Sequence, residues 1–217
     1  VRLLIALVIW VVALAGAVEV SSVVAGSIHN GSAAATSGTS GGSGSTSSGT
    51  SGPDPSSITA TDSLSLFRTA NFAKALTLAR SAVGVSAQLD NFVVYPGYLS
   101  MTAVKSGSEI DVYVDANGRS EVTQTGGSPG GTQLFGLSRI SPGIPALLAR
   151  RISRGAHVPE SQLHYMVAEA GLATGKFEWL VYPTEGNRVE YFVAAGGTGQ
   201  LSEYLHGSSS GPQPVGG

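Results

Sequence analysis

The segment Tyr98–Val122, YLSMTAVKSGSEIDVYVDANGRSEV, decides how this chain is read. In its middle, EIDVYVD alternates. Ile110, Val112 and Val114 point one way; Glu109, Asp111, Tyr113 and Asp115 point the other. Period-two alternation rich in Val and Tyr predicts a strand with one core face and one wetter face, which is the mark of an antiparallel sheet. Lys105-Ser106-Gly107-Ser108 before it and Asp115-Ala116-Asn117-Gly118 after it are turn sequences, so the strand belongs to a meander.

Upstream, RTANFAKALTLARSAVG places Phe72, Leu76, Ala79 and Val83 on one stripe. This predicts an amphipathic helix with Thr69 as N-cap and Gly84 as stop. Strand-like pieces follow: DNFVVYP, YLSMTAV, EIDVYVD and RSEVTQT. The order then recurs. SPGIPALLARRISRG opens at Pro142 or Pro145, carries Ile144, Leu147/Leu148 and Ile152 on its apolar stripe, and ends at Gly155. LHYMVAEA, KFEWLVYP, RVEYFVAA and GQLSEYL come after it. The joint GGSPGGTQLFGLSRIS ends in a short apolar piece around Leu134-Phe135.

The two ends differ from this folded part. From Arg2, RLLIALVIWVVALAGAV holds one charge, at its start. A span of about 20 residues crosses a bilayer, and continuation past Glu19 toward Ala25 supplies that length. Arg2 on the short side favours a cytoplasmic N-terminus. A cleaved signal peptide is the alternative, with small residues at Ala13-Leu14-Ala15 and Ala15-Gly16-Ala17; an ordinary buried helix is a third. Beyond it, TSGTSGGSGSTSSGTSGPDP is a flexible spacer of Gly, Ser and Thr. Asn30-Gly31-Ser32 matches a glycosylation acceptor. GSSSGPQPVGG at the end has the composition of a disordered tail. The first residue is Val, which fits either a GTG start, as in bacteria, or a chain that continues upstream.

The expected fold class is therefore α+β: an N-terminal transmembrane helix, a disordered linker, then two α-β-β-β(-β) repeats forming an antiparallel sheet with two helices on one face. The boundaries are 1–25 for the transmembrane anchor or signal peptide, 26–61 for the linker, 62–206 for the extracytoplasmic domain and 207–217 for the tail. The repeat halves run over about 62–133 and 134–206. One half alone would bury too little apolar surface for comfort; two joined halves suffice without disulfides, consistent with a chain that has no Cys.

A helix followed by an antiparallel meander whose last hairpin turns on VDANG resembles the PepSY domain. Two such copies in tandem resemble the β-lactamase-inhibitor-like arrangement. The resemblance covers roughly Thr69 to Leu205 and is carried by YVDANGRSEV from Tyr113 and YFVAAGGTGQL from Tyr191. The second copy lacks the Asp. The resemblance implies an extracytoplasmic module that binds or restrains a protein or peptide. The family has no catalytic motif, so no functional residue carries over.

The residues themselves offer little chemistry. A net charge of −2 leaves no electrostatic footprint for nucleic acid. No Cys excludes thiolate catalysis and Cys-based zinc sites. Gly126-Gly127-Ser128-Pro129-Gly130 has the spelling of a nucleophile elbow, but Pro129 has no N–H for an oxyanion hole. The four histidines, His29, His157, His164 and His206, have no ligand-spaced neighbours, so no metal and no cofactor is expected. His157 sits where it can cap the second helix, and alternation puts His164 on the face of Met166. Glu109/Asp111 and Glu178/Glu190 are acid pairs, the latter expected as neighbours across a hairpin turning at Gly186.

Aromatic residues crowd the second half. Alternation puts Tyr191 and Phe192 on opposite faces, and the expectation is that Tyr182 and Phe192 lie on the open side with Glu178 and Glu190. These four residues form the expected interaction surface. The reading is a non-enzymatic binding module. It meets the cell membrane through residues 3–25 and an envelope protein or peptide through the open sheet face. The alternatives are an enzyme whose site is assembled from His164 with Glu178 or Glu190, and an output module of a chain extending before Val1.

Overall fold

The apolar stripe of the first helix is where the core begins. In the computed structural model, which describes residues 52–124, 133–171, 176–208 and 211–215, helix α1 runs Thr69–Val83 and buries Phe72, Leu76, Ala79 and Val83. Gly84 ends it at φ +93°, a left-handed value that a side chain would strain. The start is one residue earlier than a Thr69 cap allows. Arg68 is the capping residue, without a side-chain cap, and its guanidinium instead donates to the Thr61 and Asp62 carbonyls. Helix α2, Ile144–Gly155, follows Gly143 with Pro145 in its first turn, where the missing N–H is harmless. It buries Ile144, Leu148 and Ile152.

Among the described residues ten strands form one sheet. They are β1 (Gln88–Val94), β2 (Tyr98–Lys105), β3 (Ser108–Asp115), β4 (Ser120–Gln124), β5 (Phe135–Gly136), β6 (Leu163–Ala170), β7 (Phe177–Pro183), β8 (Val189–Ala195), β9 (Leu201–Leu205) and β10 (Gln213–Pro214). The order is β10-β9-β8-β7-β6-β1-β2-β3-β4, and every pairing is antiparallel. Two meanders, β1–β4 and β6–β9, thus run outward from a seam between their first strands. The seam is short: Val93 lies opposite Val167 and Val94 opposite Met166. The other end of β1 on that side is filled by β5, with Leu89 opposite Phe135.

Inward residues of every long strand except β4 join both helices in one apolar cluster. Phe72, Phe92 and Trp179 are at its centre in edge-to-face contacts of 6.2 and 6.1 Å. The architecture is α+β, a large antiparallel sheet with two helices.

Two expected boundaries are corrected. The linker does not extend to residue 61, because Ile58 and Ala60 are buried and Pro55–Ser57 form a 3-10 turn. The Asn117 amide donates to the Pro53 carbonyl at 3.0 Å, tying this segment to the β3–β4 turn. The tail is not wholly free of structure either. Gln213 pairs with Glu203 and Pro214 with Ser202, and the Val215 N–H donates to the Leu201 carbonyl. Pro214 is tolerated because β10 is the sheet edge. The apolar stretch 3–25, Asn30, the linker up to residue 51 and the Gly126–Gly130 motif lie outside the described residues. Among the described residues no helix is long and apolar enough to cross a membrane.

Candidate interaction surface

On the sheet face opposite the helices lies an unbroken row of aromatic rings. All seven tyrosines of the chain are in it. From β3 to β9 the order is Tyr113, Tyr98, Tyr95, Tyr165, Tyr182, Tyr191 and Tyr204, one residue from each successive strand or its immediate end. Neighbouring centroids are 5.2, 4.5, 5.3, 4.5, 5.5 and 4.5 Å apart. Three of the contacts are stacked, at Tyr95–Tyr98, Tyr165–Tyr182 and Tyr191–Tyr204. The rings therefore stand like books on a shelf. Their faces are used by each other, and edges and hydroxyls are what they present outward.

Register builds this row, and three β-bulges set it. Shifts fall between Leu89 and Asn91, between Leu163 and Tyr165, and between Val189 and Tyr191. Each bulge has the pattern apolar-polar-polar-apolar: Leu89-Asp90-Asn91-Phe92, Leu163-His164-Tyr165-Met166, Val189-Glu190-Tyr191-Phe192. The outer residues of each are buried in the core. A bulge sets two residues against one, so the two inner ones share the outer side. Without the bulge in β8, Tyr191 could not meet both Tyr182 and Tyr204 while Val189 and Phe192 both stay buried.

Two expectations fail on this point. Phe192 is not on the open side; it is 0% exposed, in the core. His164 does not share the face of Met166; its ring meets Tyr95 at 5.8 Å and Tyr165 at 5.2 Å, both edge-on. Strict alternation was the wrong rule at both places. The Glu178/Glu190 pairing also fails. Glu178 lies opposite Ala195 on β8 and opposite Glu169 on β6, while Glu190 sits near Tyr182 and Tyr191. Tyr182, Glu178 and Glu190 keep the open side. Glu109/Asp111 belong to β3, where Asp111 accepts from the Thr102 hydroxyl at 2.8 Å.

Beside the tyrosines runs an aliphatic row in direct register: Val93, Val167, Leu180 and Val193, ending at Ser100 and Ser202. Beyond that row stand Glu169 and Glu178, opposite one another. Burial, then the Glu178 charge, pushes Glu169 up to about 6. Burial likewise raises Tyr113 and Tyr165 to about 12, and raises Tyr98, Tyr182 and Tyr191 as well. These five phenols are thus neutral donors and acceptors at any physiological pH. Desolvation lowers His164, against the pull of Glu185.

Depressions exist on the other side. One of about 260 Å³ is lined by residues of both helix starts, including Arg68, Thr69, Ala146 and Arg150. Another, of about 180 Å³, lies between α1 and the Asp115–Gly118 turn. Among the described residues no three His, Asp or Glu side chains converge to hold a metal. His164 and Glu178 lie toward opposite ends of the paired strands β6 and β7. The chain matches no family model, no curated protein and no solved structure.

Proposed function

We propose that the chain is a non-enzymatic binding module whose ligand lies across the tyrosine row. The observation that carries this reading is the unbroken contact of all seven tyrosines on a face the helices leave uncovered. Tyr supplies amphipathic contact area at low entropic cost, which is why it is enriched at interfaces. Spending every Tyr of a chain on one solvent-side row has no core-packing rationale, since the core is filled by Phe, Trp, Leu and Val.

The wider reading is a membrane-tethered, extracytoplasmic module. The apolar stretch 3–25 would anchor or export it, and the Gly/Ser/Thr-rich spacer would give it reach. The mirrored strand order about the β1–β6 seam supports an internal duplication of an α-β-β-β-β unit, in keeping with the resemblance to tandem PepSY domains. The ligand would be a protein, a peptide or an envelope component.

A photo-crosslinking residue at Tyr191, compared with one at Lys74 on α1, tests the surface in cells. Adducts from Tyr191 alone are expected; equal adducts from both positions would count against it. A C-terminal reporter that is active only outside the cytoplasm tests the topology, and an inactive reporter would remove the tethered reading.

A further inference from the structure

The charges of the folded part are segregated by element. Helices α1 and α2 carry Lys74, Arg80, Arg150, Arg151 and Arg154 and no acidic residue. In the strands the pattern is inverted. Every one of β1, β3, β4, β6, β7, β8 and β9 contains an Asp or Glu, and Lys105 is the only Lys or Arg within a strand among the described residues. The open face is thus aromatic and aliphatic in its middle and acidic around it. Glu169 and Glu178 flank the aliphatic row on one side, and Glu190 stands by the tyrosines on the other. Of the nearby cations, Arg188 is already paired with Glu203 at 3.6 Å.

The dimensions narrow the ligand. Seven rings on successive strands span six strand spacings, about 29 Å at about 4.8 Å each. Alternate residues along a strand are about 6.7 Å apart, so the tyrosine, aliphatic and Glu169/Glu178 rows together are about 13 Å wide. That width matches an α-helix, at about 10–12 Å, and exceeds one extended chain; the length matches about 19 helical residues.

Resting on the binding reading above, we infer that the occupant of this face is a cationic amphipathic helix of a partner protein. Its apolar stripe lies along Val93, Val167, Leu180 and Val193 beside the tyrosine edges. Its Lys or Arg side chains reach Glu169 and Glu178 on one flank and Glu190 on the other. Bringing a cation to Glu169 and Glu178 relieves the repulsion between two carboxylates that face each other across β6 and β7.

The test uses the full-length chain in zwitterionic nanodiscs, with empty nanodiscs as background, and fluorescence anisotropy of two labelled 18-residue helical peptides, one of Leu and Lys and one of Leu and Glu. The Leu/Lys peptide is expected to bind at least tenfold tighter. The triple substitution Glu169→Gln, Glu178→Gln, Glu190→Gln is expected to erase that preference. Equal binding of both peptides that is lost on Tyr182→Ser with Tyr191→Ser would overturn the cationic ligand while leaving the binding face intact. Binding of neither peptide would overturn the inference alone. Binding untouched by the tyrosine substitutions would overturn both readings. Should those substitutions unfold the chain, a photoreactive group on the Leu/Lys peptide replaces them: adducts on β7 and β8 support the inference, and adducts on α1 or α2 overturn it.

Discussion

Tyr165 and Tyr182 face each other across β6 and β7 with ring centroids 4.5 Å apart and planes within 12° of parallel. Tyr182 is touched by Tyr165 on one side and Tyr191 on the other. Tyr182→Ala is expected to destabilise the fold by about 3 kcal/mol, the sum of lost area and two ring contacts. Tyr182→Phe keeps both contacts and is expected to cost under about 1 kcal/mol. Urea unfolding of the two variants checks the difference; equal losses would mean the hydroxyl, not the stack, matters.

Glu169 gives the stability a pH dependence. Its folded value of about 6 is above its ordinary value of 4.5, so the fold favours the protonated form. Between those two values the native state binds more protons than the unfolded chain. Stability from this group is therefore lost as pH rises through that window and stays lost above it. Glu169→Gln is expected to raise the melting temperature at pH 7 relative to wild type and to flatten the dependence between pH 4.5 and 6. A steeper dependence in the variant would contradict the assignment.

The bulge in β8 predicts unequal losses for adjacent residues. Phe192→Ala opens a cavity in the core and is expected to cost about 3–5 kcal/mol. Tyr191→Ala removes a partly buried ring and is expected to cost about half as much. Deleting Glu190 removes the extra residue, so the chain must turn either Val189 or Tyr191 to the wrong side. Its expected result is loss of the cooperative unfolding transition, read by near-UV circular dichroism.

Gly97 tests whether residues 52–57 belong to the domain. A Cβ there would run into the Pro55 carbonyl backbone. Gly97→Ala is expected to cost about 1–3 kcal/mol by displacing that segment. Faster hydrogen exchange at Ser57 and Ile58, whose N–H groups donate to Asp54 and Pro55, is the specific readout.

Much of the fold was legible because it is local. The stripe Phe72, Leu76, Ala79 and Val83 and the strand LHYMVAEA fall where expected, since helix and strand periods repeat within a few residues. The polar pair between two apolar residues in each bulge was also in the sequence, but reads as ordinary alternation with one irregular step. That step moved His164 and misplaced Phe192. The pairing of Glu178 with Glu190 failed for a different reason: hairpin register depends on where the turn closes, and the turn sets Glu178 against Ala195.

The sequence alone determined the order of helices and strands, the antiparallel meanders and most of the core, because periods of 3.6 and 2.0 are properties of a single chain. Only the tertiary structure decided that seven tyrosines from seven strands fall into one row. Their alignment depends on cross-strand register, on three bulges and on the two-residue seam between β1 and β6, where strands more than 60 residues apart in the chain meet. Side chains so distant in sequence share no period; only hydrogen bonding between strands brings their rings to stacking distance.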